Sequence, residues 1–364
     1  MGEIQYISKV QLFLMIMGNT FGDTILFNPS AIMKQAAWLS FILGWGSGIV
    51  LMLLYVYIYE LNPSKTLTEI LQESFGRYLG WIVSLFYIWY FLHLAAVVFR
   101  DMGEFLVTTI YPETPMVVII SVFGAVTAYV LRQGINVIGR TTELFIPLLI
   151  AVQLTLSILP IIRLDYTNLF PLFEPGIPTI IKGGFQFLQF PFGENIPFLM
   201  IFFHLISGEN IKRTAIYAVL TVGFILLLNI LKVIMILGPG LMTKSVFPEY
   251  FISKLIIPSM DMGPFVTVVL LIGSGIKTII CLYAASLGIS QMTDTKTYRI
   301  FVLPVTAIAV GLSLWLYDNI FQMIRFGTEI WPYYALPFQI IIPFIILVIS
   351  WIKHRTQKEK MRSQ

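Results

Sequence analysis

The chain has 364 residues, 57% of them hydrophobic and 12% charged, about half the charged fraction of an ordinary soluble domain. That composition excludes a water-soluble globular protein and describes a polytopic membrane protein, because apolar runs of about 20 residues recur along the chain and each can cross a hydrocarbon core of roughly 30 Å. The net charge of +4 sits in alternate loops and in the tail residues Lys353, Arg355, Lys358, Lys360 and Arg362, the pattern of cytoplasmic anchors rather than of a nucleic-acid surface.

About ten spans are predicted, at roughly 9–33, 36–59, 79–100, 116–131, 142–162, 180–206, 214–238, 264–290, 300–317 and 332–352. With the N-terminus inside, the cytoplasmic side receives Lys9, Lys65, Arg77, Arg132, Arg140, Lys212, Arg213, Lys296, Arg299 and the basic tail. The opposite side receives the smaller set Lys34, Arg100, Arg163, Lys182, Lys244, Lys254 and Arg325, so both termini are expected in the cytoplasm. Met1 to Lys9 is short, and the apolar run behind it lacks a small-residue cleavage site, so no signal peptide is expected.

Span 1 carries an anomaly at its centre. Met17-Gly18-Asn19-Thr20-Phe21-Gly22-Asp23 places two glycines, two polar side chains and an acid in an apolar run, with Asn28-Pro29 a turn later. Between spans 2 and 3, Thr66-Leu67-Thr68-Glu69 reads as a capping box that opens a short amphipathic helix through Leu67, Ile70, Leu71 and Phe75 on the cytoplasmic face. A solvated connector is the alternative there. In span 3, His93 is expected as a hydrogen-bonded core histidine, and Ala95 with Ala96 is small enough to leave room for a ligand or for helix packing.

Span 6 repeats the anomaly of span 1. Gln189-Phe190-Pro191-Phe192-Gly193-Glu194-Asn195-Ile196-Pro197 cannot form an unbroken helix, since each proline removes a backbone donor and clashes with the preceding turn. Irregular backbone at membrane depth survives only where protein or a polar cavity satisfies the freed groups. Spans 1 and 6 open two halves of five, about 8–162 and 180–352, followed by the basic tail 353–364, all within a single membrane domain. Halves with an odd number of spans enter the membrane from opposite sides, and interrupted spans at matching positions point to an inverted-repeat fold with a site at the midplane.

A broken helix offers free N–H groups at the start of its second half and free carbonyls at the end of its first. Donors near Gly22 and from Glu194 to Ile196 suit a carboxylate, while carbonyls near Gly18 and Phe190 suit an ammonium, a pair that fits an amino acid. Gly18, Gly22 and Gly193 would let a ligand approach the backbone, and Phe190 and Phe192 would wall an apolar pocket. Kinks that serve packing alone are the competing reading.

Farther along, the segment 238–263 begins Gly-Pro-Gly and holds a short apolar piece from Tyr250 to Ile257, too short to span and placed to cap an external entrance. Lys232 lies near enough to the end of span 7 to snorkel and receives no role. Lys277 falls near the middle of span 8. An intramembrane charge costs about 2.5 to 3.5 kcal/mol on insertion scales, so Lys277 is expected to pair with Asp23 or Glu194, although a purely structural ion pair would satisfy the same requirement.

Nothing in the chain favours catalysis, a metal or a cofactor. There is no G-x-S-x-G elbow, H-E-x-x-H motif or P-loop, and Glu194 has no evident nucleophile beside it. His93, His204 and His354 are scattered too widely for a metal cluster, and the single Cys281 rules out an internal disulfide.

Span 1 with Gly18-Asn19-Thr20, span 6 with Gln189-Phe190-Pro191-Phe192-Gly193-Glu194, and the segment from Leu312-Ser313-Leu314-Trp315 through Pro343 to the basic tail together resemble the B subunit of bacterial spore germinant receptors. The similarity covers nearly the whole chain, and Phe-Pro-Phe-Gly-Glu is its most specific part. That family is similar to a branch of the amino acid–polyamine–organocation superfamily. The resemblance implies an all-α, ten-span LeuT-like fold with broken helices 1 and 6, residence in the spore inner membrane, and assembly with an A subunit and a lipoprotein C subunit. It also implies that a small nutrient, often an amino acid, binds the B subunit and triggers germination. Carried over by position, the ligand site comprises Asn19, Thr20 and Gly22 of span 1, Ala95 of span 3, Phe190, Pro191, Phe192, Gly193 and Glu194 of span 6, and Lys277 with Thr278 of span 8; the reading of the residues themselves adds Gly18 to that site and sets Asp23, Glu194 and Lys277 apart as a coupling or ion-pair set. Lys277 would be a fixed cation where relatives of similar fold hold sodium, which argues against a simple sodium site. A proton-coupled amino acid transporter using Glu194 or Lys277, and a scaffold with a vestigial site, are the alternative functions.

Overall fold

A computed structural model describes residues 5–24, 33–206, 208–256 and 261–362. The apolar runs become helices because every backbone polar group in hydrocarbon must be satisfied within its own segment. The first helices are α1 (Lys9–Phe21), α2 (Ala37–Leu61), the short α3 (Leu67–Phe75), α4 (Arg77–Thr109), α5 (Met116–Gln133), α6 (Ile135–Ile158) and α7 (Ile177–Phe187). They are followed by α8 (Ile211–Met242), α9 (Pro248–Ile256), α10 (Gly263–Met292), α11 (Arg299–Trp315), α12 (Ile320–Arg325), α13 (Trp331–Leu336) and α14 (Ile342–Arg362). Among the described residues the only ladder pairing is one isolated parallel bridge between Ile7 and Leu205.

Among the described residues seven helical stretches are long and apolar enough to cross a membrane, and α11 is a shorter apolar helix. The ten crossings of the sequence reading therefore require α11 and the two interrupted segments to be counted with them. Membrane immersion also shows in the polarity of the surface. Along α5, Val118, Val122, Val126 and Tyr129 are exposed on one face, while Thr127 is buried, an inversion of the polar-out pattern of soluble helices.

Several boundaries differ from the sequence reading. Span 1 is helical only to Phe21, and Asn28 and Pro29 lie outside the described residues. Span 3 does not end at Arg100: α4 continues for 33 residues to Thr109, and Arg100 is buried against Glu104 at 2.6 Å instead of lying in a loop. Lys232 does not snorkel. It is buried and paired with Glu249 of α9 at 2.7 Å, an ion pair that fastens α9 to α8. Helix α14 runs on into the basic tail as far as Arg362.

Helix α3 forms as its capping box demands. The Glu69 backbone N–H donates to the Thr66 hydroxyl, and the Thr66 N–H donates to the Glu69 carboxylate at 2.7 Å. Its buried face, Leu67, Ile70 and Leu71, packs on α4, and the Thr68 hydroxyl donates to the Gln291 side chain of α10 at 2.5 Å.

The core of the molecule is the crossing of α1, α10, α4 and the interrupted segment after α7. Helix α10 packs extensively on α4, α6 and α1, and α1 packs on α8. This arrangement places both interruptions against the middle of α10.

Candidate functional site

The two interruptions have different local causes. Helix α1 closes where Gly22 adopts φ +35°, a backbone region that favours glycine, and the Gly22 N–H donates to the Gly18 carbonyl at 2.9 Å. A side chain at Gly22 would meet the Lys277 side chain at 2.5 Å. On the facing helix, Gly273 lies against the Gly22 backbone, so α10 approaches α1 to a distance that no larger residue permits. Lys277 is one turn after Gly273 on the same face, which aims it at Asp23.

In span 6, α7 gives way to a π-helical turn over Leu188–Phe192 with Phe190 at φ −133° and ψ 116°, then to 3-10 backbone over Gly193–Met200. Pro191 and Pro197 lie inside this stretch. Side chains from other elements supply the missing partners. Gln339 donates to the Gln189 carbonyl at 3.1 Å and to the Tyr90 hydroxyl at 2.8 Å, while Tyr55 donates to the carbonyls of Gln339 at 2.7 Å and Gly193 at 3.3 Å. From the other side, Asn19 donates to the Glu194 carbonyl at 2.8 Å, and Asn195 donates to the Thr20 hydroxyl at 2.9 Å and the Phe192 carbonyl at 3.1 Å. The Gln189 side-chain amide is buried with no hydrogen-bond partner.

Lys277 joins the two breaks. Its ammonium pairs with Asp23 at 2.6 Å and also with Glu194, all three side chains being buried. It lies 4.8 Å from the centre of the Phe190 ring as well, a cation–π contact. Removing a charge from water costs several kcal/mol, so a buried lysine at this depth requires such partners.

A void of about 30 Å³ adjoins the triad and is lined by Asp23, Asp101, Phe190 and Glu194 together with Tyr317, Phe326 and Trp331. That volume holds about two waters, so in this arrangement the site is closed to anything as large as an amino acid. Asp101 of α4 is buried, its carboxyl faces that of Asp23, and its Oδ1 has no hydrogen-bond partner.

Thus Asp23, Glu194 and Lys277 come together, and Asn19, Thr20 and Phe190 lie around them. Gly22 lies directly against the Lys277 side chain, and the other candidates face elsewhere. Gly18 is packed between Ile146 and Ile276, and its carbonyl is already taken by Gly22. Phe192 packs against Phe41 with its ring tilted by 51°, Pro191 is buried, and Gly193 makes room for the Gln339 side chain. Ala95 is buried in α4 and does not line the void. The Thr278 hydroxyl donates to the Ser274 carbonyl of its own helix at 2.9 Å. His93 is buried among rings, stacked on Trp89 and Trp331, with its Nδ1 lacking a hydrogen-bond partner. Among the described residues no group of three or more histidine, cysteine or acidic side chains is arranged to hold a metal ion.

Comparison with known proteins decides the family. A family model described as "Spore germination protein" matches residues 6–321. The chain belongs to this family. Spore germination protein KB of Bacillus subtilis (strain 168) is 32% identical over 370 residues, covering 97% of each chain. Spore germination protein YndE of the same organism is 24% identical over 97% of this chain and 98% of its own. Among solved structures, MhsT in complex with L-phenylalanine superposes with a TM-score of 0.66 at 14% identity, covering 96% of this chain and 99% of that one. A Na+-coupled sialic acid symporter in a substrate-bound outward-open state gives 0.68 at 11% identity, over 96% and 90% of the chains. At these identities the likeness establishes the fold, an all-helical LeuT-type membrane architecture. The spore germination family is a receptor and permease-like family, and the structural neighbours are transporters; this chain is not an enzyme.

Proposed function

We propose that this family member is the B subunit of a spore germinant receptor, which binds a small nutrient, an amino acid, at the crossing of the two interrupted segments. The observation that carries this reading is the buried Asp23–Lys277–Glu194 set, which ties both breaks to α10 beside a void. A ligand that prefers one arrangement of the two halves shifts the population toward it, and the change passes to A and C subunits in the spore inner membrane, with both termini in the cytoplasm.

Reconstitution into liposomes with labelled amino acids tests this reading. Saturable binding without accumulation is expected, whereas accumulation against a gradient overturns it. The second reading, a proton-coupled amino acid transporter, draws support from the symporter fold of the neighbours. It would use the same triad, with Glu194 or Lys277 carrying the proton.

A further inference from the structure

A larger cavity, of about 480 Å³, lies where the chain enters α1, away from the triad. The end of the span 6 segment reaches it through Phe203 and His204, and the last turns of α10 reach it through Tyr283, Leu287 and Ser290. Its volume falls in the range of roughly 300–1,000 Å³ found for small-molecule sites.

The lining divides by chemistry. Phe203, Tyr283 and Leu287 supply rings and aliphatic surface, and the turn between α10 and α11 supplies Thr295, Lys296, Thr297 and Arg299. None of the described lining residues is acidic, and Asp294, close by in sequence, is exposed and does not line the cavity. Among the described residues neither Lys296 nor Arg299 is in an ion pair. The end of α5 holds this turn instead. Arg299 donates to the Gln133 carbonyl at 3.2 Å and Tyr298 to the Leu131 carbonyl at 3.1 Å, contacts that fix the side chains without neutralising the charge. Two cations with hydroxyls beside them suit a group rich in acceptor oxygens. A carboxylate brings two such oxygens, whereas a phosphate monoester brings three and can engage both cations and a hydroxyl together.

The entering chain forms a further wall. The Ile7 N–H donates to the His204 carbonyl at 2.8 Å, and the Ile206 N–H donates to the Ile7 carbonyl at 3.1 Å. His204 Nδ1–H donates to the Gln5 carbonyl at 2.7 Å, which leaves Nε2 of the neutral ring to accept from the Tyr283 hydroxyl at 2.6 Å. The start of the chain, the end of span 6 and α10 are therefore tied together at this cavity. Tyr283 follows Lys277 by about 9 Å along α10.

We propose that this cavity is a second ligand site and that it takes a phosphate ester, with the phosphate on Lys296 and Arg299 and the organic part against Phe203, Tyr283 and Leu287. Soluble phosphate esters and the headgroups of anionic phospholipids share that chemistry. The inference does not draw on the reading of the triad. On the orientation proposed above, the site faces the cytoplasm. A ligand seated there holds the entering chain, span 6 and α10 in their present arrangement, and so biases the elements that carry Glu194 and Lys277 without touching either residue.

The test uses the full chain in nanodiscs of phosphatidylcholine, alone or mixed with phosphatidylglycerol. Phenyl phosphate is the soluble probe, with benzoate and phenol as its controls, read by calorimetric titration; phosphatidylglycerol retained by the protein is read by native mass spectrometry. Binding of phenyl phosphate in phosphatidylcholine alone identifies a soluble ester, and selective retention of phosphatidylglycerol without it identifies a lipid headgroup. In either case Lys296→Gln should weaken binding at least about tenfold, as loss of a charge-assisted contact does. Lys296 is exposed in the free protein, so the ligand-free melting temperature of that variant should stay level. Lys212→Gln, which removes an exposed lysine outside the cavity, should bind as the wild type does. The proposal is overturned if neither probe binds, or if benzoate or phenol binds as tightly as phenyl phosphate. It is equally overturned if the double variant Lys296→Gln, Arg299→Gln binds no more weakly than Lys212→Gln.

Discussion

Among the described residues two lysines are buried, and they do different things. Lys232 of α8 meets Glu249 of α9 at 2.7 Å, one cation against one carboxylate, with both side chains 4% exposed. Lys277 of α10 meets Asp23 at 2.6 Å and Glu194 as well, is fully buried, and has a third acid, Asp101, across the adjoining void. The first pair is matched in charge and simply fastens one short helix to a long one. The second set is overloaded with acid, joins the interrupted segments of spans 1 and 6, and opens on a cavity. Burial of a lysine is therefore no mark of function by itself; surplus charge facing a void is what separates the two regions.

The largest expected effect breaks the overloaded set. Lys277→Met leaves two buried carboxylates without a cation, and removal of one partner from a buried ion pair costs about 3–5 kcal/mol. We expect loss of monodisperse protein or a sharp fall in melting temperature in detergent. Adding Asp23→Asn and Glu194→Gln to that variant should recover most of the stability without restoring ligand response. A triple variant that responds to ligand as the wild type does would make the set a structural device like the Lys232 pair.

Next is the matched pair. Lys232→Met alone leaves one orphaned acid near the end of α8, with an expected cost of about 3 kcal/mol. The double variant Lys232→Met, Glu249→Leu should return to within about 1 kcal/mol of the wild type, since apolar replacement of a whole buried pair is often neutral. Ligand response should be unchanged. If the double variant melts normally yet loses that response, α9 belongs to the working machinery and the contrast fails.

A smaller effect is expected on the clasp that holds the span 6 break. Gln339→Leu removes the donor to the Gln189 carbonyl and the Tyr90 hydroxyl, and leaving a buried group unsatisfied costs about 1–3 kcal/mol. Thermal unfolding checks the cost directly. A melting temperature equal to the wild type would show that the break holds without the clasp.

What the sequence displays of this site follows from electrostatics. Asp23, Glu194 and Lys277 stand out because each is an ionisable group inside an apolar run, and hydrocarbon forces such groups to find one another. The glycines and prolines around them likewise mark where helix must stop. Asp101 is hidden because Arg100 and Glu104 flank it in sequence and imitate the polar end of a span, whereas α4 continues past all three. Gln339 and Tyr55 carry no charge and sit in ordinary apolar segments, so only the fold reveals that they satisfy backbone groups far away in the chain. Lys232 misleads for the opposite reason: its nearness to a span end suggests a route to water that α9 closes. Thr278 shows a further limit, since its hydroxyl turns back onto its own helix, a habit of threonine that position alone does not exclude.

The smallest change in stability should accompany one of the largest changes in function. Glu194→Gln removes one of the two carboxylates on Lys277 but leaves Asp23 in place, so the lysine keeps a one-to-one partner at 2.6 Å. The backbone carbonyl of residue 194 still accepts from Asn19, so the join between the two breaks survives the substitution. Stability should therefore shift by no more than about 1 kcal/mol. The void, however, loses one of its three acids, and the coupling of Lys277 to the span 6 segment loses its charge. Ligand response, measured as binding in nanodiscs, should fall by an order of magnitude or more while the melting temperature barely moves. If instead Glu194→Gln assembles normally and responds to ligand as before, the interruption in span 6 is a packing kink, and the triad belongs with Lys232 and Glu249 among the fastenings of the fold.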